Sequence, residues 1–219
     1  MVKSFSFIAV FLLIIDGLWS QQNIIPRPDV LNAVAAQFTL TEQTAIVANR
    51  AAMSEAQFLA SWMFEATGKQ FSVVDMAAMP QENFILLNAS KKSSEVTSES
   101  LKSLPDSVRN RVIKADRSKY KLNISSKSIV INAEFDQGVF YGIQTLRQLF
   151  PVEAELQKLK LPYALPGLLI QDGAKFPHRG LLLDCCRHFM SVEFIKKYID
   201  ALAHYKMNVL HWHLTEDQG

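Results

Sequence analysis

The chain predicts two units in series. The first is an α+β domain, in which a mixed sheet carries helices on one face. The second is a β–α–β unit of parallel strands. Three observations point there. Tyr120, Leu122 and Ile124 alternate with polar residues, turn at Ser125–Lys127 and return through Ile129 and Ile131, directly before a helical apolar stripe. Four of the eight prolines (Pro151, Pro162, Pro166, Pro177) fall in one stretch, as in an interdomain linker. Beyond Pro177 the pattern runs strand, capped helix, strand, with polar residues crowding the carboxyl ends of the strands. An α/β barrel or a doubly wound sheet places its site there.

In order along the chain, Lys3 and the apolar run Phe5–Leu18, followed by Ser20 and a polar pair, form a secretory signal over 1–20, cut after Ser20. The run is too short for a stable membrane span. The product is therefore expected to be exported: secreted, periplasmic or lysosomal. Phe38–Val47 contains a strand. Ser54–Thr67 is a helix, with Ala56, Leu59, Ala60, Met63 and Phe64 at helical spacing, Ser54 as N-cap and Gly68 as its stop. Phe71–Val74 and Phe84–Leu87 are short strands, and Asn88–Lys119 is a polar, serine-rich loop with room for one short helix. Asp136–Phe150 is a helix with the stripe Val139, Phe140, Ile143, Leu146, Leu149 and Phe150, ended by Pro151. Tyr141 and Arg147 read as packing and surface residues. Gly180–Asp184 is a continuous apolar strand, suited to burial on both faces. Ser191 caps a helix whose buried stripe is Phe194, Ile195, Tyr198, Ile199 and Leu202, and Asn208–Leu214 is the second strand.

The 219 residues are 49% hydrophobic and 20% charged with a net charge of +2, the balance of a globular protein that buries a core. Long single-sign runs are absent, which argues against a nucleic-acid partner. The local cations Arg109, Arg111, Lys114, Arg117 and Lys119 are interrupted by Asp116 and read as a solvated face. Asn88-Ala-Ser90 and Asn123-Ile-Ser125 are glycosylation triplets for a eukaryotic host. Cys185 and Cys186 are adjacent on a strand, point to opposite faces and read as small buried hydrophobes rather than a disulfide.

All five histidines lie in the last stretch, between Pro177 and Gly219. Arg187 and His188 follow the first strand, and His211, Trp212, His213, Glu216 and Asp217 lie along and past the second, so the two sets can converge. An arginine fork there can grip hydroxyls or a carboxylate, and an acid at 216 or 217 can accept from a hydroxyl or hold a histidine tautomer. Asp184 can simply satisfy backbone donors at the strand end. His211 and His213 share a strand face, which is open to metal ligation or to ordinary core hydrogen bonding. Arg179, at the strand's amino end, reads as structural, and His204 as a surface residue favoured by the helix dipole.

The segments Arg179-Gly-Leu-Leu-Leu-Asp184, Arg187-His188-Phe189 and Lys206-Met-Asn-Val-Leu-His-Trp-His-Leu-Thr-Glu-Asp-Gln-Gly219 resemble the opening of the catalytic barrel of glycoside hydrolase family 20, the β-N-acetylhexosaminidases. Gly138-Val-Phe-Tyr-Gly-Ile-Gln-Thr-Leu-Arg-Gln-Leu149 is similar to the last helix of that family's non-catalytic domain. The resemblance implies a non-catalytic α+β domain over 24–150, a linker over 151–176 and the incomplete start of a (β/α)8 TIM barrel over 177–219. It implies removal of terminal β-linked N-acetylglucosamine or N-acetylgalactosamine from glycans by a retaining, substrate-assisted route, with no cofactor and no metal. Under it, Arg187 binds the sugar's outer hydroxyls and Glu216 is an acid supporting a histidine. Asp217, His213 and His188 have unassigned roles. The family's catalytic Asp–Glu pair has no counterpart here, and Cys185 and Cys186 stand where small or hydroxyl residues are usual. The chain is accordingly expected to be an amino-terminal portion of such an enzyme, inactive alone. The competing expectations are a short binding module and a metal-dependent barrel hydrolase using His211 and His213. Oligomeric state is not legible.

Overall fold

The computed structural model describes residues 24–93, 102, 105 and 117–216. The expected signal over 1–20, the cations Arg109, Arg111 and Lys114, and Asp217 lie outside the described residues.

Strands β1 (Val30–Leu40), β2 (Ala45–Ala48), β3 (Val73–Asp75), β4 (Phe84–Lys91), β5 (Tyr120–Ile124), β6 (Ser128–Phe135) and β7 (Tyr163–Asp172) form one sheet in the order β1-β7-β5-β6-β4-β2-β3. The β2–β3, β2–β4 and β4–β6 pairs are parallel. The β5–β6, β5–β7 and β1–β7 pairs are antiparallel, so the sheet is mixed, as expected. Alternation decides its faces. Ile85, Leu87, Leu122, Ile124, Ile129, Ile131 and Ile170 are buried beneath helices α1 (Met53–Thr67) and α2 (Asp136–Gln148), while Lys121, Asn123, Asn132 and Glu134 face outward. Each fully buried Leu or Ile stabilises by roughly 1.5–3 kcal/mol.

Several local expectations are corrected. Phe38–Val47 does contain strand, the end of β1 and most of β2, and Thr41 and Thr44 close a turn between them: the Thr44 N–H donates to the Thr41 carbonyl at 3.2 Å and the Thr41 N–H to Thr44 Oγ1 at 2.9 Å. Ser54 is not the cap of α1; its hydroxyl donates to Glu55. The N-cap position is Ala52, which offers no side-chain bond, and it ends a short helical turn, Arg50–Ala52, that Asn49 caps by accepting the Ala52 N–H on Oδ1 at 3.1 Å. Gly68 does end the helix, with φ 71° and its N–H on the Phe64 carbonyl at 2.7 Å, a left-handed position that costs glycine nothing.

The stretch 151–176 is not an open linker. It holds the short helix α3 (Val152–Glu155) and then β7, which lies between β1 and β5 inside the sheet with Leu165, Leu168 and Ile170 buried. Prolines suggested a connector, but Pro166 sits where β1 bulges. The register jumps between Ala33 and Gln37, and the bulge absorbs the proline's missing donor. Gly167 completes the fit, because a Cβ there would meet the carbonyl oxygens of Ala36 and Val34 at 2.7 and 2.8 Å.

The second unit is β8 (Gly180–Asp184), α4 (Val192–His204) and β9 (Val209–His213), with β8 and β9 parallel and Asp184 level with His213. Ser191 caps α4 as expected, its Oγ accepting from the Phe194 N–H at 3.2 Å. The burial expected here is mostly not found. Leu202 is the buried member of the α4 stripe, whereas Phe194 and Ile199 are 44% and 46% exposed and Leu182 of β8 is 54% exposed.

Helix α2 is buried nearly all round because the second unit packs on its outer side. Tyr141 is 4% exposed. Arg147, expected at the surface, is instead buried. Its guanidinium grips Glu155 through Nη2 and Nε, donates from Nη1 to Gln144 Oε1 at 3.1 Å and lies 5.3 Å from the Trp62 ring centre.

Candidate functional site

The carboxyl ends of β8 and β9 bring the expected polar residues together. Asp184 closes β8. Its Oδ1 accepts the backbone N–H groups of Cys186 at 3.0 Å and Arg187 at 3.1 Å, so it does satisfy the strand end. Its Oδ2 accepts the Arg187 Nε–H, a contact sequence reasoning left out. Those bonds from Arg187, backbone first and side chain second, hold the Asp184 carboxyl well down, at about 2. The same partnership raises the Arg187 guanidinium: the hydrogen bond to Asp184 comes first, then the charges of Asp184 and Glu216. Glu216 Oε2 lies 3.8 Å from Arg187 Nε, the long edge of an ion pair.

His213 turns towards the same carboxylate, Nδ1 lying 3.5 Å from Asp184 Oδ1, an ion pair only when the imidazole is protonated. The Cys185 N–H donates to the His213 carbonyl at 3.0 Å, extending the ladder one residue past Asp184. Trp212, on the opposite face, donates Nε1–H to Cys185 Sγ at 3.2 Å. Both cysteines are free and partly exposed, rather than buried. His188 is exposed on the loop beyond Arg187 and does not join the Asp184 cluster. Among the described residues no group of three or more His, Cys, Asp or Glu could hold a metal ion.

Arg187 is 64% exposed and Glu216 30%. The guanidinium is therefore fixed at its Nε edge by Asp184 while much of its surface faces solvent. A planar cation so held presents its remaining donors to a ligand in one orientation, and hydroxyls or a carboxylate fit that fork.

The amino ends of β8 and β9 were not expected to do much, yet they carry the bonds to the first unit. Arg179 Nη2 donates to the Tyr141 hydroxyl at 3.0 Å, Nε to the Lys206 carbonyl at 2.7 Å and Nη1 to the Phe176 carbonyl at 2.7 Å. Arg179 is structural, as read from sequence. Its partner in helix α2 lies 38 positions away, beyond any local pattern.

Residues 21–173 match the family model described as glycosyl hydrolase family 20, domain 2, and residues 176–219 match its catalytic domain. A beta-hexosaminidase of Porphyromonas gingivalis is 48% identical over 101 residues, which are 46% of this chain and 13% of that protein. The beta-hexosaminidase subunit beta of Mus musculus is 37% identical over 100 residues, 46% of this chain and 18% of that protein. Among solved structures, the N-acetyl-beta-hexosaminidase of Streptomyces plicatus superposes with a TM-score of 0.70 at 29% identity, covering 90% of this chain and 35% of that one. The GH20 beta-N-acetylhexosaminidase of Streptomyces coelicolor gives 0.70 at 30% identity with the same coverage. The chain thus spans roughly a third of these structures. With a mixed-sheet domain and a β–α–β unit each matched in turn by a family model, the chain belongs to glycosyl hydrolase family 20.

Proposed function

We propose that this chain forms the first part of an exported β-N-acetylhexosaminidase that removes terminal, non-reducing β-linked N-acetylglucosamine or N-acetylgalactosamine from glycans. The observation that carries the reading is the Arg187 clamp. A guanidinium held by Asp184 and approached by Glu216 stands at the mouths of two parallel strands, with donors free for vicinal hydroxyls. Arg187 grips the sugar ring, Asp184 aligns Arg187, and Glu216 supports a histidine. The unit β8–α4–β9 opens a (β/α)8 barrel, a reading supported by the apolar faces left open at Leu182, Phe194 and Ile199.

The chemistry proposed is retaining and substrate-assisted. The substrate's acetamido oxygen attacks the anomeric carbon, a glutamate protonates the leaving oxygen, and an aspartate beside it orients the acetamide. Neither of those acids has a counterpart in these 219 residues, and no cofactor or metal enters the scheme.

The test is expression of the reading frame with and without the codons that follow Gly219. The continuing frame is expected to encode a His-x-Gly-Gly-Asp-Glu stretch and to release nitrophenol from a nitrophenyl N-acetyl-β-glucosaminide. In that protein Arg187→Ala is expected to lower kcat/KM about a hundredfold or more. Turnover by the pure 219-residue chain, or full activity of the Arg187→Ala protein, would refute the reading.

A further inference from the structure

Lys206 occupies a conformation that its type disfavours. It sits in the turn from α4 into β9 with φ 60°, left-handed for a residue bearing a Cβ, where glycine or asparagine is the usual occupant. Its side chain is also 8% exposed, uncommon for a lysine. Both oddities have one explanation across the boundary between the two units. Lys206 Nζ donates to Asp172 Oδ2 at 2.7 Å, at the end of β7, and to the Tyr120 hydroxyl at 2.9 Å, at the start of β5. Asp172 is likewise 8% exposed. The Tyr120 hydroxyl also meets Thr145 Oγ1 on α2 and Asp172 Oδ2 at 3.0 Å. Burial pushes the ammonium below the ordinary lysine value, and Asp172 works against that.

The latch is aligned with the strand that bears the site. Three residues after Lys206, β9 begins, and it runs straight to His213 and on to Glu216. The turn is also fixed to the head of β8: the Asn208 N–H donates to the Arg179 carbonyl at 2.9 Å, and Asn208 Oδ1 accepts the Arg179 N–H at 2.9 Å. The ladder from Gly180–Val209 to Asp184–His213 joins the two strands along their length, so what fixes the amino end of the pair also bears on its carboxyl end.

We infer that Lys206 is a positioning residue: by pinning the start of β9 to Asp172 and Tyr120 of the mixed sheet, it fixes how the β8–β9 pair, and with it Arg187 and Glu216 at the other end of the strands, stands on the first unit. The first unit then serves as the footing of the site rather than as a separate module. The inference rests on the hexosaminidase reading only for the meaning of that site, and its test contains no glycan, so the two fail separately.

The test is amide hydrogen exchange and nitrogen-15 spectra of the 219-residue chain carrying Lys206→Met, Lys206→Gly, Asp172→Ala, the Lys206→Met/Asp172→Ala pair, and Tyr120→Phe. Lys206→Met and Lys206→Gly are expected to speed exchange of the β8 and β9 amides, Cys185 included, about tenfold, with the β5–β6 hairpin unchanged. The Arg187 Nε–H resonance is expected to shift with them, and Asp172→Ala to add little to Lys206→Met. Tyr120→Phe, which keeps the ion pair, is expected to give the same regional pattern at a few-fold, and it carries the test if the Lys206 variants do not fold. Wild-type protection in Lys206→Gly would assign the effect to turn geometry and overturn the inference. So would uniform loss over β5–β6, additive effects of the pair, or an unmoved Arg187 resonance.

Discussion

The Arg179 guanidinium lies 5.3 Å from the centre of the Tyr141 ring and donates to its hydroxyl at 3.0 Å, so the residue that leads into β8 is tied to helix α2 of the first unit. Burial raises the Tyr141 hydroxyl above the ordinary tyrosine value, and the neighbouring Arg179 charge limits that rise. Tyr141→Phe keeps the ring and removes one charge-assisted acceptor, at an expected cost of about 1–2 kcal/mol. Arg179→Met removes three donors together and is expected to cost more. A double-mutant cycle by urea unfolding is expected to return a coupling of about 1 kcal/mol. Strict additivity would show that the two residues act independently.

Helix α2 approaches the sheet through two glycines, and they are not equivalent. A Cβ at Gly142 would meet Ile131 Cγ2 at 2.5 Å, and Ile131 is fully buried. A Cβ at Gly138 would strike the Lys119 carbonyl oxygen, which belongs to the backbone and cannot rotate aside. Alanine gains about 1 kcal/mol over glycine in a helix, whereas overpacking costs about 1–3 kcal/mol. Gly142→Ala is therefore expected to be mildly destabilising and Gly138→Ala clearly so. Thermal melts should rank them in that order below wild type. A Gly138→Ala protein as stable as wild type would show that the helix is free to lift off β6.

The legible parts of the fold are those whose signal is local. The β5–β6 hairpin shows strict alternation, α2 shows helical spacing ended by Pro151, and β8–α4–β9 carries a cap, a stripe and two apolar runs. The misread parts depend on partners far along the chain. β7 looked like a connector because Pro166 and Gly167 interrupt it, and only the bulge of β1 makes them compatible with a strand. Arg147 looked like a surface residue because the groups that enclose it, Trp62 of α1 and Glu155 of α3, lie on other elements. At the site, Arg187 and Glu216 were legible from strand-end position. The Asp184–Arg187 bond was not, since an aspartate at a strand end has an adequate local use. The latch at Lys206 reaches residues 34 and 86 positions away and leaves no periodic trace.

His204 was expected at the surface and is half-buried instead. Its backbone carbonyl accepts from Gln148 Nε2 at 2.7 Å. Burial first, and then the Arg147 charge, lower its pKa, with Glu155 offsetting part of the effect. A histidine whose folded pKa lies below its unfolded value takes up its proton more readily when unfolded. Stability therefore rises with pH from the folded value up to the ordinary value near 6.5. The melting temperature is expected to be lower at pH 5.5 than at pH 7.5, roughly spanning that window. His204→Gln should flatten the difference. A slope unchanged by His204→Gln would assign it to other groups.

The bonds from Arg187 depress Asp184 to about 2, and the backbone share of that effect survives loss of the side chain. Arg187→Ala removes the Nε donor and the positive charge but keeps the 187 N–H on Asp184 Oδ1. Its carboxyl is then expected to titrate above 2 yet below the unperturbed value near 3.9, followed by carbon-13 shifts of the aspartate side chain. Because the folded pKa is the lower one, whatever stability the contact contributes is present above about pH 4 and is lost as pH falls towards 2. Arg187→Ala should therefore reduce the acid sensitivity of β8–β9 exchange between those limits. A carboxyl that still titrates near 2 in Arg187→Ala would show that backbone donors alone hold it, and that Asp184 does not orient the guanidinium.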